Sequence, residues 1–277
     1  MTTLSLSSYF RIPSQMSKYE ILSRASCFVL SSSKVGQRNV ALSSQRSLES
    51  SPSRSPDVRP LLLTTQHVIA PQNYRNYYPD DWISYVTDEH VKCYAEQRSA
   101  TGEVLQSWEL GKPLHHPSLD LSVLPFKDDD VALPGYEISE IQDRGVSVTC
   151  VGHVLRDDSG DACGEVQDPE DDTRIAIPTN VTGSLALQTP RQQNFATTEA
   201  VLEPGMCGGP MINGSGEVVG MVEGIVPPGA SVDDELEGMA AYVTSAGLLA
   251  VTRMWESTER GDSQAAVKKK STGVRVL

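Results

Sequence analysis

No stretch of this 277-residue chain approaches the ~18 consecutive apolar residues of a membrane-spanning helix, and its N-terminus lacks the uninterrupted apolar run of a secretory signal. A membrane span is not expected. Positive charge is also scarce: 23 Lys and Arg stand against 36 Asp and Glu, for a net charge of −13. Proteins that hold phosphate backbones gather basic side chains to release counterions, so nucleic acid is not an expected partner. Cysteine is sparse and scattered, at Cys27, Cys93, Cys150, Cys163 and Cys207. The odd number and the absence of a Cys-x-x-Cys pair argue against a disulfide framework or a zinc site, and point to a reducing, intracellular setting, either cytosol or an organelle. Cys150, His153 and Cys163 have no fourth ligand, and the acidic run Asp157 to Ala162 has alanine where a calcium loop needs glycine. Neither a metal nor another cofactor is expected. Asn180-Val181-Thr182 and Asn213-Gly214-Ser215 match glycosylation acceptors, but without a secretory route they read as chance.

What is present is enough apolar content, 39%, for a sizeable core in one large domain or two small, closely packed ones. Residues 1–19 contain Arg11 and Lys18, many hydroxyls and no acid. That is the composition of an organelle transit peptide, with a flexible N-terminal extension as the alternative. Ser26 to Ser31 and Pro60 to Thr65 read as short apolar strands, and the Ser, Arg and Pro-rich run from about Ser43 to Pro60 between them reads as a surface loop. Val91 to Ala95 and Glu103 to Leu110 alternate across Ala100-Thr101-Gly102, which predicts a hairpin. Further strands are expected at Leu119 to Leu124, Val146 to Val154, Arg174 to Ile177, Ser184 to Gln188, Glu217 to Ile225 and Gly238 to Thr244. Helical periodicity begins only at Ser245, a candidate cap, and runs to about Trp255; the basic tail 259–277 has no pattern and reads as disordered. Many short strands with one closing helix indicate an all-β barrel architecture, and the length suits two barrels with a break between Lys127 and Pro134.

One set of residues carries chemistry. A thiol attacks an acyl carbon as the thiolate, so it needs a base within reach and a group to orient that base. Cys207 lies in Gly205-Met206-Cys207-Gly208-Gly209-Pro210, where glycines allow a tight turn whose Gly205 and Cys207 amides can converge on a developing oxyanion. His67 follows an apolar strand, and Asp120 is a lone carboxylate in an apolar stretch, which is costly without a partner such as an imidazole N–H. His115 and His116 are alternative bases, though neither follows a buried strand.

These segments resemble the trypsin-like, chymotrypsin-fold peptidases, and among them the HtrA/Deg branch. Thr65-Gln66-His67-Val68-Ile69 is similar to that branch's Asn-Ala-His-Val-Val, and Leu119-Asp120-Leu121-Ser122-Val123-Leu124 to its Thr-Asp-Leu-Ala-Val-Leu. The stretch Gln193 to Pro210 is similar to the one ending Asn-Pro-Gly-Asn-Ser-Gly-Gly-Pro, and Gly216 to Met221 follows in order. The resemblance covers about residues 20–258. It implies two antiparallel six-stranded β-barrels with a C-terminal helix, barrel one at about 20–130 and barrel two at about 135–258. It implies His67 as general base, Asp120 as its orienter, Cys207 as nucleophile, the Gly205 and Cys207 amides as the oxyanion hole, and Val201 and Glu223 near the substrate pocket. Glu223 would favour a basic residue before the cleaved bond or else stand beside the triad.

Two departures qualify the resemblance. Cellular members carry serine where this chain has Cys207, as in the cysteine proteases of the same fold from positive-strand RNA viruses, and no length follows residue 258 for the usual PDZ domain. The expectation is an endopeptidase acting on protein or peptide substrates through an acyl-enzyme, with no oligomeric state implied. The alternatives are a catalytically inactive binding or assembly module of the same fold, and a protease that trims its own chain.

Overall fold

The computed structural model describes residues 1–31, 60–74, 78, 81–128, 130–139, 144–156, 174–189, 193–227 and 234–271. The expected surface loop before Pro60, the acidic run Asp157 to Ala162 and Cys163 lie outside the described residues.

The first half forms one antiparallel sheet from β1 (Thr3–Phe10), β2 (Glu20–Leu30), β3 (Leu61–Thr64), β4 (Val91–Arg98), β5 (Val104–Glu109), β6 (Leu114–His115) and β7 (Ser122–Pro125). The spatial order is β5-β4-β1-β2-β3-β7-β6, a seven-stranded sheet in place of the expected six-stranded barrel. The end of β5 meets the end of β7 through one isolated bridge, Leu110 with Phe126, made by the Gly111 amide donating to Pro125 O at 2.7 Å and the Lys127 amide donating to Glu109 O at 3.1 Å. Pro125 has no N–H to return, and a side chain at Gly111 would start 2.9 Å from its ring, so the ladder stops there.

Residues 1–19 are not a flexible extension. β1 lies between β2 and β4, with Leu4 and Leu6 fully buried. The many hydroxyls that suggested a transit peptide are satisfied inside the fold: Ser5 and Ser7 donate to Glu96 Oε2 at 3.3 and 3.0 Å, and Ser8 bonds Ser23 at 2.7 Å. Glu96 is in turn ion-paired with Arg98, so a buried carboxylate and a serine-rich strand solve each other's solvation.

The second half is a closed antiparallel barrel, β10-β13-β12-β11-β8-β9, built from β8 (Ser147–Arg156), β9 (Ile175–Gln188), β10 (Asn194–Thr198), β11 (Pro210–Asn213), β12 (Val218–Ile225) and β13 (Ala240–Thr244). The two strands expected at Arg174 to Ile177 and Ser184 to Gln188 are one, β9, because β8 pairs with it without interruption from Ser147 opposite Ser184 to Arg156 opposite Ile175. The described fold also holds short 3-10 turns and two α-helices, α1 (Gln66–Ile69) and α2 (Ser245–Ser271). Thr244, one residue before the expected cap, accepts the Gly247 N–H at 3.4 Å. Leu248 and Val251 anchor the first turns of α2 in the core. α2 runs past Trp255, where its periodicity was expected to end, to Ser271.

The halves share a core. Phe28, Leu61, Leu63, Leu121 and Val123 of the sheet pack with Val218, Met221 and Val243 of the barrel and with α2. The intervening segment pairs with both, Tyr136 with Leu30 and Ile138 with Val218.

Candidate active site

α1 is a single turn that begins as soon as β3 ends, and it carries His67 inward to 9% exposure. Asp120 reaches it from a bend just before β7, not from within a strand as its apolar neighbours suggested; the strand starts at Ser122. The bend lets one carboxylate hold two groups of the same residue. Oδ1 accepts the His67 backbone N–H at 2.8 Å and Oδ2 takes the ring Nδ1 at 2.5 Å. A carboxylate only accepts, so the ring proton sits on Nδ1 and Nε2 is left to face elsewhere.

The same ring interacts with Cys207. The thiol hydrogen-bonds the His67 ring, bringing a side chain of the barrel half onto one of the sheet half. Burial alone would lower the His67 pKa, but the hydrogen bonds to Asp120 and Cys207, with their charges, outweigh it and carry the value up to about 10. Tyr74 covers the ring edge-on, centroids 5.9 Å apart, and its hydroxyl donates to Gln66 Oε1 at 3.2 Å.

The loop bearing Cys207 is pinned on both sides. The Ser26 amide of β2 donates to Cys207 O at 3.0 Å, the Gly208 amide donates to Val222 O at 2.8 Å, and the Val222 amide returns a bond to Gly209 O at 2.9 Å. Gly208, at φ 81°, must be glycine: a Cβ there would stand 2.2 Å from Ser26 O and 2.5 Å from Thr64 Oγ1. Gly205 also adopts positive φ, 99°. Among the described residues, neither the Gly205 nor the Cys207 amide N–H has a partner, while the amides of Met206, Gly208 and Gly209 all do. Two free donors flanking a thiol can receive an anionic oxygen.

The remaining sequence candidates separate. Glu223 is the bulged residue of β12, between Val222 opposite Tyr242 and Gly224 opposite Ala241. Its carboxyl is pushed up to about 7, first by burial and then by the charge of Asp120, with His67 opposing, so it lies in the field of Asp120 and His67. Val201 is exposed, its Cγ2 3.6 Å from where a side chain at Gly238 would begin, near the entry to β13. His115 is bonded through Nδ1 to Ser122 Oγ at 2.8 Å, and His116 Nδ1 accepts the Ser118 and Leu119 amides at 3.2 and 3.0 Å, so neither joins Cys207. Cys150 is buried in β8 and His153 is bound to Ser26, and no group of metal-ligating side chains occurs among the described residues. Ser26, Thr64 and Tyr74 were not legible as site residues, since an isolated hydroxyl in an apolar run carries no local signal.

The sheet half supplies His67 and Asp120 and the barrel half supplies Cys207, so the set lies where the halves meet. The chain belongs to the trypsin-like peptidase domain family: that family's model matches residues 50–221, more than half of the chain and inclusive of His67, Asp120 and Cys207. Peptidase is therefore its class of activity, and protein or peptide its class of substrate. No curated protein matches it.

Proposed function

We propose that this chain is an endopeptidase in which Cys207 is the nucleophile, His67 the general base and acid, and Asp120 the carboxylate that orients His67. The observation that carries the reading is the Asp120 carboxylate on His67 Nδ1 at 2.5 Å, with Cys207 against the same ring. The raised basicity of His67 favours a thiolate and imidazolium pair, the form in which sulfur attacks. The C–S bond forms on the scissile carbonyl carbon and its oxygen becomes an oxyanion, received by the Gly205 and Cys207 amides. The imidazolium gives its proton to the leaving amine as the C–N bond breaks, leaving an acyl group on sulfur. His67 then takes a proton from water, which attacks the acyl carbon and releases the acid. Asp120 holds the ring for both transfers and keeps its Nδ1 proton throughout. The order of the motifs, and their likeness to the HtrA/Deg branch with cysteine in place of serine, support the same assignment.

The other described thiols provide an internal control. Burial pushes Cys93 and Cys150 up to about 12, whereas Cys207 is only half-buried. Iodoacetamide or a peptide aldehyde is expected to modify Cys207 ahead of Cys93, and Cys207→Ala to lose cleavage of an unstructured protein. If Cys207 reacts no faster than Cys93 and no protein is cut, the inactive-module reading replaces this one.

A further inference from the structure

We infer that Ser26 is a positioning residue for the oxyanion pocket, its hydroxyl holding the Gly205 carbonyl so that the Gly205 and Cys207 amides stay presented. The inference rests on the cysteine-peptidase reading. Ser26 belongs to β2 in the sheet half, yet it is fully buried against the nucleophile loop of the barrel half. Its hydroxyl donates to Gly205 O at 2.7 Å and accepts the His153 backbone N–H at 2.9 Å, with His153 Nδ1 at 3.3 Å. With an imidazole N–H donating from Nδ1, both lone pairs of the oxygen are filled and its single proton can go only to Gly205. His153 suits that task as a neutral ring, since burial, and then the charge of Arg98, lower its pKa to about 4.

The backbone of the same residue acts on the other side of the thiol, through the Ser26 amide to Cys207 O. The Gly205–Met206 peptide is held at its N–H end too, Met206 N to Glu203 O at 3.2 Å, and the Met206–Cys207 peptide is held through Gly209 N to Met206 O at 3.0 Å. Among the described residues, the N–H groups of this loop left over are those of Gly205 and Cys207. Gly205 is the weak point of this frame, because at φ 99° and without a side chain its torsions meet little steric resistance. A hydrogen bond must supply the restraint that a Cβ cannot, for a Cβ would lie 2.8 Å from His153 O. The hydroxyl of Ser26 is the donor placed to do so.

The test compares two reactions of the same thiol in the full chain. A peptide aldehyde forms a tetrahedral adduct whose oxygen needs the pocket; iodoacetamide alkylates sulfur with no oxyanion. For Ser26→Ala the expectation is a fall in kcat and in aldehyde affinity of about tenfold to a hundredfold, with KM for a peptide substrate unchanged and alkylation of Cys207 within about twofold of the parent. Ser26→Gly reads the same ratio should the alanine variant fold poorly. An unchanged kcat, or alkylation and aldehyde binding falling together, overturns the assignment for Ser26 alone. A parent chain whose Cys207 neither alkylates selectively nor turns over substrate defeats the peptidase reading and this inference with it.

Discussion

Replacing Glu223 by glutamine removes a charge that the fold holds at a loss. The carboxyl sits on the β12 bulge in the field of Asp120 and His67, and its pKa in the folded chain is about 7 against an ordinary 4.5. Between those two values the unfolded chain has released a proton that the folded chain keeps. Stability therefore falls as pH rises through this window, and the full penalty is present above about pH 7. The gap corresponds to about 3 kcal/mol as a ceiling, and partial solvent access brings the expected effect to about 1–2 kcal/mol. Glutamine keeps the shape and cannot ionise. Urea unfolding of Glu223→Gln and parent, followed at pH 4.5 and pH 8.5, is expected to show near-equal stability at the lower pH and a more stable variant at the higher. An offset independent of pH, or a variant less stable at pH 8.5, would refute the placement of this carboxyl beside the triad.

Two further changes test other parts of the argument. Asp120→Asn keeps an acceptor for the His67 backbone N–H but sets an amide against the ring Nδ1 proton, favouring the wrong tautomer. Steady-state hydrolysis of a peptide should show kcat falling by a factor on the order of 10³–10⁴ with KM little changed, and a loss under tenfold would contradict the tautomer assignment. Leu6→Ala in β1 empties a fully buried site between β2 and β4, and chemical unfolding should register a loss of about 2–4 kcal/mol. An appendage would show none.

Several features could be read because their cause is local. The β4 and β5 hairpin follows from alternation on either side of a turn whose Gly102 takes φ 87°, and the start of α2 follows from apolar residues at helical spacing. His67, Asp120 and Cys207 could be nominated from sequence because each lies within a short motif of fixed composition, and the fold sets Asp120 on the His67 ring. Errors arose where a residue's environment comes from elsewhere in the chain. Residues 1–19 did not read as part of the core because hydroxyls are polar in isolation, and Glu96 on β4 is what makes those of Ser5 and Ser7 good core residues. Thr244 rather than Ser245 caps α2 because the end of β13 fixes where the helix begins. Closure of one half and not the other depends on how strand ends meet, as at Pro125 and Gly111.

The sequence by itself determined the residue types of the site and their order, because turn glycines, apolar alternation and a lone carboxylate impose their constraints over a few neighbouring residues. Tertiary structure alone decided that a hydroxyl on β2 holds the carbonyl of Gly205. Hydrogen bonds act over about 3 Å, and Ser26 has no partner to bond until folding brings a residue 179 positions away within that distance.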